Sequence, residues 1–148
     1  MARTYQYGLV RRTGNAVITA ALRAGLAPRT YVLLTTKGRR SGRPHTTPVR
    51  LMRHDGEEWL VSPYGNVAWA HNARAAGKVL LRHGRHVRTM NVVECEPNES
   101  APVLREYARK EVITRPFFDA RPSDPVSAFA AEAARHPVFR LAEAMDPA

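Results

Sequence analysis

A chain of 148 residues, 44% hydrophobic and 24% charged, is sized for one globular domain spanning 1–148 that buries roughly two-thirds of its unfolded surface. It has no apolar run near the roughly 20 residues a membrane-spanning helix needs, and its lone Cys95 excludes an internal disulfide or a cysteine-rich zinc site. The formal charge of +10 calls for an anionic partner: nucleic acid, a phospholipid surface, or a small molecule bearing phosphate or carboxylate.

The basic residues are overwhelmingly Arg, a bias that GC-rich coding produces and that also supplies planar forks for phosphate or carboxylate. From Thr13, the spacing of Val17, Ile18, Ala21 and Leu22 predicts an amphipathic helix ending at Gly25. Its flanking Arg11, Arg12 and Arg23 leave a peripheral membrane-surface contact open beside ordinary core packing. The same segment has the apolar content of a secretory leader without a cleavage site followed by a cysteine-rich chain, so a cytoplasmic location is expected.

Five β-type runs follow: "TYVLLTT", "HTTPVRLMRH", "EEWLVSP", "KVLLRH" and "HVRTMNVVEC". Gly38 and Gly42 punctuate the first connection and Gly84 the last, while Asp55-Gly56 is a hairpin signal. Between the third and fourth runs, Val67, Ala70 and Ala73 predict a short helix ending near Gly77. "PNESAPVLREYARK" predicts a helix begun around Ser100, and "RPSDPVSAFAAEAARH" another with Asp124 as cap and Pro125 at its first position. The last run, "HPVFRLAEA", predicts a short closing strand that Pro137 places at an edge or an entrance. The expected fold is α+β: a mainly antiparallel sheet closed into a barrel, with peripheral helices.

Chemistry concentrates in two stretches. "GRRSGRP" lacks the Gly-Lys-Ser/Thr that ends a phosphate-binding P-loop. Its glycine turn can still offer backbone N–H groups to an anion, with Arg39, Arg40 and Ser41 adding charge and a hydroxyl. "HTTPVR" puts Pro48 inside a strand, which marks an edge or bulge able to face a ligand. "SPYGNVAWAHN" brings Ser62, a Tyr64-Gly65 turn, Trp69 and Asn72 into one segment. His83 and His86 flank a turn with no carboxylate or cysteine at ligand spacing, so no metal is expected. No nucleophile elbow or carboxylate pair is present.

Taken together, "YVLLTTKGRRSGRPHTTPV", "WLVSPYG" and "WAHNARAAGKVLLRHGRHV" resemble the deazaflavin-dependent nitroreductase family of split β-barrel oxidoreductases, over roughly Tyr31 to Cys95. The matching positions are Leu33 to Thr36, Gly38 to Gly42, Thr47-Pro48, Ser62, Gly65, Trp69 and Asn72. Arg40 stands where the family usually carries Lys, and His45 where it is often basic. The resemblance implies coenzyme F420, whose phosphate and carboxylates would lie on Arg39, Arg40 and Ser41. Thr46, Thr47, Pro48 and Val49 would line the deazaflavin ring, and Ser62, Gly65, Trp69 and Asn72 would close the pocket. The implied reaction is hydride transfer to a small electron-poor acceptor, such as a quinone, enone, nitro compound or lipid double bond, with Tyr64, His71 or solvent supplying a proton. An FMN-dependent oxidoreductase of the pyridoxamine-phosphate-oxidase type is the alternative within the fold. A nucleic-acid-binding barrel is the alternative outside it, but Tyr31, Trp59 and Trp69 are too scattered for a stacking platform, so no nucleic acid is expected. The oligomeric state stays open.

Overall fold

The computed structural model describes residues 19–21, 23, 24 and 30–144. The helix expected from Thr13 to Gly25, with its membrane-surface role, lies largely outside the described residues. Among these, no helix is long and apolar enough to cross a membrane.

Six antiparallel strands make a closed barrel. In chain order they are β1 (Tyr31–Lys37), β2 (Pro44–His54), β3 (Glu57–Val61), β4 (Lys78–His83), β5 (His86–Glu94) and β6 (Val138–Glu143). Around the barrel they run β1, β2, β3, β6, β5, β4, and β4 closes back on β1. Helix α1 (Ala68–Ala76) links β3 to β4, and α2 (Pro97–Lys110) and α3 (Val126–Glu132) lie between β5 and β6.

Alternation along the strands sorts the apolar side chains into two cores. Every strand sends residues into the barrel: Leu34, Leu51, Leu60, Leu81, Met90 and Phe139 form its centre, and Ala70 and Ala73 of α1 pack against them. The opposite faces of β2, β3 and β6 present Met52, Trp59, Val61 and Val138 to a second core, closed by Leu104, Tyr107, Phe118 and Phe129 from the helical layer. The two-residue turns behave as their composition demands. Asp55 and Gly56 adopt φ of 53° and 74°, the paired left-handed conformation that fits a tight turn to the twist of a hairpin.

Three expectations need correction. Helix α2 starts at Pro97, with Glu96 as N-cap, because Pro97 at the first helical position sets the helix three residues ahead of Ser100. Pro125 is itself the N-cap of α3, while Asp124 instead accepts the Arg121 N–H at 2.8 Å and braces the preceding turn. Strand β6 is not an edge: it pairs with β3 on one side and β5 on the other. Pro137 sits one residue before it, where its carbonyl accepts the Ser62 N–H at 2.8 Å. A 3₁₀ segment over Val112–Phe117 is also present.

Candidate active site

Strand β2 is twice as long as its neighbour β3, and that mismatch opens the barrel. Residues 44–50 pair only with β1, and residues 51–54 pair with β3. Along the first half, the side of β2 away from β1 has no strand on it among the described residues. The Leu51 N–H points to the Thr30 carbonyl, so by the alternation of an antiparallel ladder Thr46 and Pro48 turn their backbone groups the other way. Pro48 has no N–H to leave unpaired there, which is why this position accepts proline.

A cavity of about 520 Å³ lies along this open edge, within the range of small-molecule sites. His45, Thr46, Thr47, Pro48 and Val49 form one wall; Tyr64 and Trp69 stand across it. Trp69 is held by a tilted contact with Phe139, 5.8 Å between centroids, and Tyr64 by an edge-on contact with Phe117 at 4.9 Å.

The hairpin between β1 and β2 carries the basic cluster. Its backbone is tied internally: Gly38 N–H to Arg43 O at 2.8 Å and Gly42 N–H to Gly38 O at 2.9 Å, and Arg43 N–H to Ser41 Oγ at 3.2 Å. Asn72 Oδ1 accepts both the backbone N–H and Nη1 of Arg39 at 3.1 Å, and Asn72 Nδ2 donates to Thr36 Oγ1 at 3.3 Å. Most of the N–H groups expected to cradle an anion are therefore spent within the turn, and the charge on offer comes from side chains. A Cβ at Gly38 would lie 3.0 Å from the Arg43 carbonyl, besides the movable ends of Ser41 and His45, so this tight turn favours glycine. Arg50, Arg53, Arg74, Arg88, Arg109 and Arg135 all pair with carboxylates. By contrast, Lys37, Arg39, Arg40 and Arg43 have no carboxylate within ion-pair distance among the described residues.

Trp69 and Asn72, one helical turn apart, divide the labour of α1: the indole lines the cavity and the buried amide anchors the hairpin. Ser62 and Gly65 do not line the cavity. Ser62 is buried and donates to the Gly65 carbonyl, and Gly65, at φ +94°, makes the turn that carries Tyr64. His71 lies outside, 3.4 Å from Arg74. Buried beneath this loop, His136 bridges the Pro63 carbonyl at 2.8 Å and Glu132 at 2.7 Å, and Glu132 accepts the Asp119 and Ala120 N–H groups. Burial, then the hydrogen bond to Glu99, pushes the Cys95 thiol up to about 12, which disfavours its thiolate.

At the far end of the cavity stands a polar cluster that sequence reasoning missed. Tyr31 and Arg50 face each other across the β1–β2 ladder. The Tyr31 hydroxyl donates to Glu111 Oε2 at 3.0 Å, and Arg50 Nη1 donates to the same oxygen at 3.3 Å and to Tyr31 at 3.4 Å. Burial, then the bond to Glu111, raises the Tyr31 pKa and keeps its proton in place. Arg50 stands in the sequence only as the end of "HTTPVR", and nothing there sets it apart.

Fold and cavity together define a split β-barrel protein. It shares this fold with a domain-swapped dimer at 21% identity, covering 90% of this chain and 96% of that one, TM-score 0.50. The protein Atu2129 of Agrobacterium tumefaciens aligns at 16% over 96% of this chain, which spans 59% of that protein, TM-score 0.53. A Listeria innocua protein assigned as a pyridoxamine 5'-phosphate oxidase aligns at 12%, covering 88% and 93%, TM-score 0.52. Comparison with curated proteins finds no match. Residues 7–121 match the model of the F420H(2)-dependent quinone reductase family, and the chain belongs to that family. It is a deazaflavin-dependent oxidoreductase with F420 as its cofactor. The residues present fit that group: a cluster of cations without carboxylate partners among the described residues adjoins a largely apolar cavity beside a strand edge that is unpaired among them.

Proposed function

We propose that the protein transfers a hydride from reduced F420 to a small, electron-poor, largely apolar acceptor, with the cofactor lying along the open edge of β2. The observation that carries this reading is the continuity of one hairpin. Its tip gathers four cations without carboxylate partners, and its side walls the cavity. Lys37, Arg39, Arg40 and Arg43 would hold the phosphate and acidic tail, and the family membership favours F420 over FMN. Charge-assisted contacts are roughly twice as strong as neutral ones, so the tip would dominate affinity.

When bound, F420H2 supplies the hydride. The chain's own residues orient and enclose. Thr46 and Pro48 offer backbone groups, residues 46–49 form a wall, Trp69 covers the opposite side, and Asn72 fixes the tip through Arg39. Tyr64 lines the cavity and is the better placed of the two candidate proton donors; His71 stands outside it. Quinones and enones suit the wall chemistry, and a nitro compound or lipid double bond would have to enter the same space.

Titration of the purified protein with F420 at low salt, followed by cofactor fluorescence and Trp69 quenching, tests the reading. Binding in the micromolar range or tighter is expected, weakening with added salt as an ionic contact should. Absence of binding removes the proposal.

A further inference from the structure

Half of the Arg50 guanidinium is without a partner among the described residues. Both hydrogen bonds of its guanidinium run through Nη1. Its Nε is the one buried side-chain polar atom without a partner among the described residues. The edge formed by Nε and Nη2 is therefore idle, in a side chain only 17% exposed that lines the cavity. Such a group is unfavourable to leave unmade, and the usual explanation is a ligand or a role in function. The Nη1 contacts, 3.3 and 3.4 Å, are long for charge-assisted bonds, so they hold the head only weakly against a small shift towards the cavity.

We infer that Arg50 orients the hydride acceptor by donating from its idle Nε–Nη2 edge to a carbonyl oxygen of a neutral conjugated ketone or quinone. This deepens the reading above and rests on it. The charge of the cluster selects the acceptor class. Glu111, 11% exposed at its side chain, lies 3.3 Å from Nη1 and neutralises the guanidinium, so an acceptor carboxylate would meet Glu111's own charge in a poorly screened place. A neutral carbonyl oxygen meets no such repulsion. It still finds a donor whose pull strengthens as reduction proceeds. The hydride and its electron pair arrive from the reduced deazaflavin, the displaced π pair settles on the oxygen held by Arg50, and a proton from water completes the hydroquinone or enol. Tyr31, which keeps its proton, and Glu111 hold the guanidinium in line and act as positioning residues.

Menadione binding to protein loaded with oxidised F420, where no turnover occurs, tests this by quenching of tryptophan fluorescence. Arg50→Gln should weaken menadione binding by about tenfold or more, the effect of losing a charge-assisted contact, and raise its KM more than it lowers kcat. The F420 affinity should stay within about twofold, because the cofactor's anions lie at the other end of the hairpin. Arg50→Gln with Glu111→Gln keeps the cluster neutral and should show the same menadione defect, separating the lost donor from an uncompensated carboxylate. Unchanged menadione binding in both variants, or a wild-type protein that binds F420 and not menadione, overturns the inference and leaves the cofactor reading standing. Loss of F420 affinity with menadione unaffected also overturns it, by placing Arg50 in the cofactor site. A wild-type protein that fails to bind F420 sinks the underlying reading instead.

Discussion

The two ends of the β1–β2 hairpin are built in opposite ways. At the tip, Arg39, Arg40 and Ser41 are exposed, and the cations there have no carboxylate partners. At the base, Arg50 and Glu111 are mostly buried, paired with each other and with Tyr31. The ladder from Tyr31–Arg50 to Lys37–Pro44 covers six steps, about 20 Å at strand rise. One rigid element thus holds the two proposed sites apart, one for highly charged groups and one for a neutral oxygen. The lesson is that charge left unpaired in water costs the fold little and is free to bind. Charge brought into the core must be paired, so only a remnant such as the idle Arg50 edge is left for a ligand.

This contrast predicts where substitutions will cost stability and where they will cost only affinity. The largest stability effect should come from Glu132→Ala, beneath the cavity wall. It strips the acceptor from the Asp119 and Ala120 N–H groups and from His136, and leaving buried donors unsatisfied costs about 1–3 kcal/mol each, or roughly 10 °C in the thermal midpoint together. A loss of less than about 1 kcal/mol would show that this clamp does not support the loop. At the tip, Arg39→Ala with Arg40→Ala should leave the melting temperature nearly unchanged and weaken F420 binding more than tenfold, since two charged contacts are worth roughly 1.5–3 kcal/mol each. Equal F420 affinity in the double variant would remove the tip from the cofactor site.

Asn72→Ala should do some of both. It frees the hairpin from α1 and leaves the Thr36 hydroxyl without its donor, for about 1–2 kcal/mol of stability and a several-fold weaker F420 affinity. A change in only one of the two would show that anchoring and binding are separable. The smallest effect is expected away from both ends, at Glu58. It takes both guanidinium nitrogens of Arg88, at 2.8 and 2.9 Å. Those bonds hold its pKa below the ordinary 4.5. Its contribution is therefore complete above that ordinary value and is lost as pH falls through the lowered one. Glu58→Gln should cost about 1 kcal/mol or less at neutral pH and flatten the acid limb of a melting-temperature profile, with F420 binding untouched. An unchanged acid limb would mean that other carboxylates dominate it.

Legibility followed the range of the interactions. Strand runs, the Asp55-Gly56 turn and the Gly77 helix end were plain because backbone geometry and alternation are local. The basic hairpin, the open strand at Pro48, and Trp69 were legible for the same reason: each lies within a short stretch whose composition is unusual. The division between Trp69 and Asn72 was not. Both belong to one helical turn, and only the docking of α1 against the hairpin sends one to the cavity and the other to Arg39. The anion nest was over-read, because the turn's N–H groups are taken by oxygens of the turn itself and of Asn72.

The order of residues alone determined that six strands and a few amphipathic helices would form, and that positive charge would gather on a glycine turn beside a proline-marked strand. These follow from φ preferences, pattern period and charge, which act over a few residues. Tertiary structure decided that β2 would outrun β3 and leave an edge open. It also decided that the Tyr31 hydroxyl would donate a hydrogen bond to Glu111, 80 positions away, with Arg50 alongside. Those outcomes depend on which strands meet when the barrel closes, a matter of long-range packing that no local stretch encodes.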